Sequence, residues 1–130
     1  MERKRFCVTF FLRRARTNKA GLAPILARIT TNGVSKEVYI QCSVPADRWN
    51  QSKEWATGRD KLCQQVNAYL NEYRVNKARQ LILDPRLSLK DIGAAVGYSD
   101  ANYFTRVFKR LTGQTPSEYR VAAAEKAAQG

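Results

Sequence analysis

Residues 97–110 read GYSDANYFTRVFKR. On a helix turning about 100° per residue, Phe104 centres one face, with Val107, Phe108 and Leu111 beside it. Asn102, Thr105, Arg106, Lys109 and Arg110 fall on the opposite arc, and Tyr103 at its border. The stripe is expected to be core and the arc open to solvent. Upstream, Ser88 followed by Asp91 opens a short helix in the manner of a capping box. Leu89, Ile92 and Val96 form its apolar side, and Gly97 ends it. Ser99 is expected to cap the next helix, which runs to about Leu111 and closes at Gly113. Thr115, Pro116 and Glu118 then supply cap, first-turn proline and reciprocal partner for a last helix reaching VAAAEKAAQG.

Two short helices separated by VGYS form a helix-turn-helix pattern, in which the first supports the second while the second projects. Glycine at 97 can take a positive φ. A small residue at 93 allows close helix approach, and one of alanine size is expected to serve there. On the open arc, Asn102 has the donors and acceptors for adenine and Arg106 the fork for guanine; the Thr105 methyl suits thymine and Lys109 a phosphate. Any one of these residues alone fits a solvated cationic face. The helix and turn before them favour DNA.

Working toward the N-terminus, the period stays at 3.6 back to about Leu62. Val66, Tyr69, Leu70, Tyr73, Ala78, Leu81 and Ile82 are expected on one side of a long helix that stops at Asp84-Pro85. Before it the period is two. From Arg5 to Arg14, Phe6, Val8, Phe10 and Leu12 alternate with Cys7, Thr9, Phe11 and Arg13, as in a half-buried strand. PILARITTNGVSKEVYIQC reads as a hairpin turning at Asn32-Gly33: Ile25, Ala27 and Ile29 line one strand, and Val34, Val38 and Ile40 the other, with Tyr39 in the opposite register. The segment after Cys42 is irregular, and Trp49 is expected to cover the sheet. The fold expected is α+β: a small three-stranded antiparallel sheet module over residues 1–60, then an all-α module over 61–130 comprising a linker helix and the helix-turn-helix.

The chain has 130 residues, 44% of them hydrophobic, with 23 Lys and Arg against 11 Asp and Glu, a formal charge of +12. Residues 1–60 carry 12 basic and 5 acidic side chains and residues 61–130 carry 11 and 6, so both halves are cationic. Folded basic surfaces suit phosphate, because each neutralised phosphate releases counterions. There is no histidine, which excludes Ser-His and Cys-His relays, and the carboxylates are scattered, so no enzymatic activity is expected. Cys7, Cys42 and Cys63 lack C-x-x-C spacing, so neither a metal site nor a disulfide framework is expected, and nothing suggests a cofactor. MERKRFCVTFFLRR mimics a signal peptide, but its apolar run is short and ends in Arg13 and Arg14, so it is read as a strand. The expectation is a cytoplasmic, nucleoid-associated protein without a membrane segment.

Residues 71–120 closely resemble the C-terminal helix-turn-helix of AraC/XylS-family transcription regulators, through YRVNKA, IGAAVGYSD, YFTRVFKR and TGQTPSEYR. The resemblance implies promoter binding, with Asp100, Ala101, Asn102, Thr105, Arg106 and Lys109 facing double-stranded DNA and RNA polymerase as a further partner. Gly93 stands where that family usually has alanine. Residues 1–60 stand where it has a first helix-turn-helix, and no small-molecule effector is expected. Residues 6–70, with FFLRRARTNKAGLAPILARITTNG, VPADRWN and VNAYL, resemble the N-terminal arm DNA-binding domain of Bacteroidetes-type tyrosine recombinases, the phage integrases. That resemblance implies a sheet addressing the major groove, with Arg13, Arg14, Arg16, Lys19, Arg28 and Lys36 as candidate contacts. The two likenesses meet inside the long helix, near Tyr69 to Tyr73, as a gene fusion would leave them. Sequence-specific transcription regulation is the leading expectation. The rivals are an integrase-derived accessory that binds recombination arm sites, a protein-interaction module, and a fusion remnant.

Overall fold

Alternating apolar residues build the first strands. The computed structural model describes residues 6–129, so the expected strand start at Arg5 lies outside the described residues. Strand β1 (Phe6–Leu12) pairs antiparallel with β2 (Leu22–Thr31), which pairs with β3 (Val34–Pro45), giving the order β1-β2-β3. Val8 opposes Ile29, Phe10 opposes Ala27 and Leu12 opposes Ile25, so the expected apolar faces meet on one side. The hairpin turns at Asn32 and Gly33, both at positive φ (53° and 83°), the geometry whose twist matches the flanking strands. The register slips between Pro24 and Leu26, and Gln41 in the facing strand takes φ 59°, which marks a bulge. Ile40 is buried within the bulge, whereas Val34, at the hairpin tip, and Val38 are exposed. Leu26 is buried on the face opposite Ile25 and Ala27, between its strand partners Phe11 and Tyr39.

The irregular segment after β3 serves the free edge of β1. It forms a small hairpin of β4 (Trp49–Asn50) and β5 (Trp55–Ala56). Gln51 Nε2 donates to the carbonyl of Phe10 at 2.8 Å, and Glu54 Oε1 accepts from the Phe10 N–H. Two side chains thus occupy backbone groups that an edge strand leaves open. Trp49 is buried, and its indole N–H donates to Gln51 Oε1 at 2.9 Å. Asn67 makes two bonds to the backbone of Ala56, at 2.8 and 2.9 Å, in the manner of a neighbouring strand.

Helix α1 spans Lys61–Ile82, followed by α2 (Leu89–Ala95), α3 (Ala101–Thr112) and α4 (Pro116–Gln129). The chain divides into two compact units, the first up to Leu70 and the second from Asn71. The buried positions of α1 are Cys63, Val66, Leu70, Arg74, Val75, Ala78 and Ile82, a stripe advancing by three to four residues. Tyr69, expected on that stripe, is 40% exposed. A tyrosine can sit at such a border with its hydroxyl in water. Arg74 takes an inside position that charge alone would have assigned to solvent.

Val75, Ala78, Ile82, Ile92, Val96, Tyr98, Phe104, Val107 and Phe108 form the core of the second unit, with Leu81, Leu87, Leu89 and Tyr119 packed against it. Arg120 of α4 fastens the end of α1: Nε donates to the Ile82 carbonyl at 3.1 Å, and Nη2 to those of Asp84 and Leu87 at 3.3 and 2.8 Å. The Ile82 carbonyl ends α1 and those of Asp84 and Leu87 lie in the connection to α2, where a helix leaves its last carbonyls without intrahelical partners. Among the described residues no helix is long and apolar enough to cross a membrane. Replacing Arg120 with methionine keeps the length of the stem and removes all three bonds. Urea unfolding should then show the helical unit destabilised by about 1–3 kcal/mol.

Candidate nucleic-acid interface

The exposed arc of α3 depends on how α2 and α3 meet. Gly93 is buried in α2, and a Cβ built there would lie 2.8 and 3.1 Å from ring atoms of Phe104. The expectation that a residue of alanine size would serve at 93 is therefore corrected. The Phe104 ring is itself held between Tyr98, stacked at 5.4 Å, and Phe108, edge-on at 5.8 Å, and it has little freedom to retreat. At Gly97 the φ is 108°, and a Cβ would stand 3.1 Å from Arg74 Nε. The glycine turns the chain and leaves room for the buried Arg74, whose guanidinium lies 5.9 Å from the Tyr98 ring centroid. Tyr98 donates its hydroxyl to Asn71 Oδ1 at 2.9 Å, and burial raises its pKa well above the ordinary phenol value.

The helix ends are closed by their own side chains. Ser88 Oγ accepts from the Asp91 N–H at 3.0 Å. Asp100, not Ser99, caps α3: its carboxylate accepts from the N–H groups of Asn102 and Tyr103 at 2.8 and 3.3 Å. Serine and aspartate both suit a cap, and the helix starts one residue later than expected, after an extended Asp100. Gly113 closes α3 in the left-handed conformation, at φ 85°. Thr115 and Glu118 exchange reciprocal bonds at 2.9 and 3.1 Å at the start of α4.

The result is a two-sided α3. Phe104, Val107 and Phe108 are buried, while Ala101, Asn102, Arg106, Lys109 and Arg110 are exposed. Leu111, expected beside Phe104, is 40% exposed in the last turn. The Thr105 hydroxyl donates to the Ala101 carbonyl at 3.0 Å. Asp100 is exposed too, with its carboxylate engaged on the N-terminal amides of α3. Arg106 lies over the Tyr103 ring, its Cζ 5.9 Å from the centroid.

The basic residues of the first unit do not share one face. Arg28 and Glu37 are cross-strand partners, and Arg28 stands 4.8 Å over the Phe11 ring. Glu37 receives Arg13 on one oxygen and Arg28 on the other, each at 2.8 Å. The Arg28 bond, with Arg13 behind it, holds the Glu37 carboxyl below the usual carboxylate range. Lys36 opposes Ile29 and so projects from the other side of the sheet. Arg14, Arg16 and Lys19 lie in the exposed connection between β1 and β2, where Arg14 donates to the Ala46 carbonyl at 3.0 Å. Among the described residues no group of three or more Cys, Asp or Glu could hold a metal ion.

Residues 59–122, just under half of the chain, match the family described as "Helix-turn-helix domain". It is 43% identical over 61 residues to the HTH-type transcriptional activator RhaR of Escherichia coli strain K12 and, equally, to that of Shigella flexneri serotype 5b. The match covers 47% of this chain and 22% of each of those curated relatives. A crystal structure of a DNA-binding transcriptional dual regulator from Escherichia coli K-12 aligns with 46% of this chain and 54% of its own, at 35% identity and a TM-score of 0.45.

Gly93 in α2 and Gly97 in the turn have separable roles. Gly97→Ala forces a Cβ into a positive-φ position and should lower unfolding stability by about 1–3 kcal/mol. Gly93→Ala gains about 1 kcal/mol of helix propensity but must move Phe104. Near-ultraviolet circular dichroism should change for Gly93→Ala, reporting that ring's displacement.

Proposed function

We propose that this chain is a non-enzymatic, sequence-specific DNA-binding protein that regulates transcription, with α3 in the major groove. The observation that carries the reading is the division of α3 between sealed aromatic core and open polar arc, in a segment 43% identical to transcriptional activators. Asn102 and Arg106 are assigned to base edges, Thr105 to a thymine methyl, and Ala101 to the groove wall. Lys109 is assigned to phosphate. Asp100 shapes the approach by capping the helix. A protein with this role works at the nucleoid, in the cytoplasm, with double-stranded DNA as its partner and RNA polymerase beside it at the promoter.

The sheet unit supplies a second DNA contact in this proposal, in the manner of the integrase arm domain it resembles. The exposed Arg14, Arg16 and Lys19 are available to phosphates directly. Arg13 and Arg28 reach them by releasing Glu37, an exchange that costs little at the surface because exposed ion pairs are worth about 0–1 kcal/mol. Lys36, on the other side of the sheet, meets DNA only if that strand edge turns toward it.

The test uses duplexes enriched from a random-sequence pool by the full chain. Arg106→Ala should weaken binding to the enriched duplex by about 1–3 kcal/mol and relax the preference at one base pair, with a much smaller loss on random duplex. Equal losses on both would sink base reading by Arg106. Lys109→Ala should weaken both duplexes alike and reduce the slope of log affinity against log salt by about one.

A further inference from the structure

We infer that Tyr103 is a positioning residue for Arg106, fixing the guanidinium over its ring before DNA arrives; this rests on the proposed reading of α3 as the recognition helix. The Arg106 Cζ lies 5.9 Å from the Tyr103 centroid, within the reach of about 6 Å at which a ring face attracts a cation. The two residues are three apart on one helix, a spacing that makes side chains neighbours. An unsupported arginine on a surface samples many rotamers, and ordering them opposes binding. A guanidinium that reads guanine through two bonds also needs its plane set, not only its charge placed.

The ring is itself anchored. Tyr103 meets Tyr98 edge-on at 5.8 Å, and Tyr98 is buried, stacked on Phe104 and bonded to Asn71. The buried Arg74 lies over the Tyr98 ring, 5.9 Å from its centroid. Arg74, Tyr98, Tyr103 and Arg106 therefore form a continuous series of cation, ring, ring and cation, leading from the interior of the unit to the open arc. The first turn of α3 is also held, since the Asp100 carboxylate accepts from the Tyr103 N–H. Tyr103 thus presents a fixed ring face where Arg106 needs a support.

Two measurements on the full chain test this. In the free protein, the Arg106 Nε–H resonance should show restricted motion and a ring-current shift; Tyr103→Leu should abolish both and Tyr103→Phe should retain them. On the enriched duplex, Tyr103→Leu should weaken binding roughly two- to five-fold, Tyr103→Phe should restore it, and Tyr103→Leu should cost nothing further in an Arg106→Ala background. An equal loss in both backgrounds, or an Arg106 resonance indifferent to Tyr103→Leu, overturns the role. Should Tyr103→Leu fail to fold in thermal melts, Tyr103→Met takes its place in the same cycle. If no sequence is enriched while Arg106 is ordered by Tyr103 in the free protein, the recognition-helix reading fails and the role in base reading falls with it.

Discussion

The helical unit is organised around the close approach of Phe104 to residue 93. Two helices joined by a short turn can share a core only if their axes approach closely, and here the ring of Phe104 fills the space where a Cβ would stand, 2.8 Å from it. With Phe104 seated there, Tyr98 stacks on it, Phe108 meets it edge-on, and Tyr119 of α4 meets Phe108 at 5.5 Å. A row of aromatic contacts thus runs through the unit from one close approach. It fixes the rotation of α3 about its own axis, and that rotation decides which side chains face out.

Around this contact the fold closes its exposed ends with side-chain hydrogen bonds. Asp100, Ser88 and the Thr115–Glu118 pair satisfy helix starts, and Arg120 satisfies the carbonyls after α1. The sheet unit uses the same economy at its edge, where Gln51 and Glu54 take the backbone groups of Phe10. Its outer face keeps two arginines converged on Glu37. That carboxylate stays ionised at neutral pH, so cationic groups are held in place without being consumed by burial.

Much of this architecture was legible in local patterns. Period-two alternation marked β1 and β2, Asn32-Gly33 marked the hairpin, and Thr115 with Glu118 marked the start of α4, because each signal acts over a few residues. The division of α3 into Phe104, Val107 and Phe108 against Asn102, Arg106 and Lys109 was equally legible from its period. The misreadings share a cause. Leu111 and Tyr69 have the right phase to be core yet lie exposed, and Arg74 is buried despite its charge, because burial depends on what another part of the chain places opposite. Ser99 and Asp100 are both good caps, and only the backbone path before α3 chose between them.

By itself, then, the order of residues determined the elements, their apolar faces and the cationic character of both halves, since propensity, capping and periodicity are properties of neighbours along the chain. Only the tertiary structure decided that a methyl at residue 93 would press on the Phe104 ring, that Arg13 and Arg28 converge on one carboxylate while Lys36 points to the other side, and that Tyr103 lies beneath Arg106 on an anchored ring. Those are matters of distance between groups, and such distances are set when segments far apart in sequence compete for the same space.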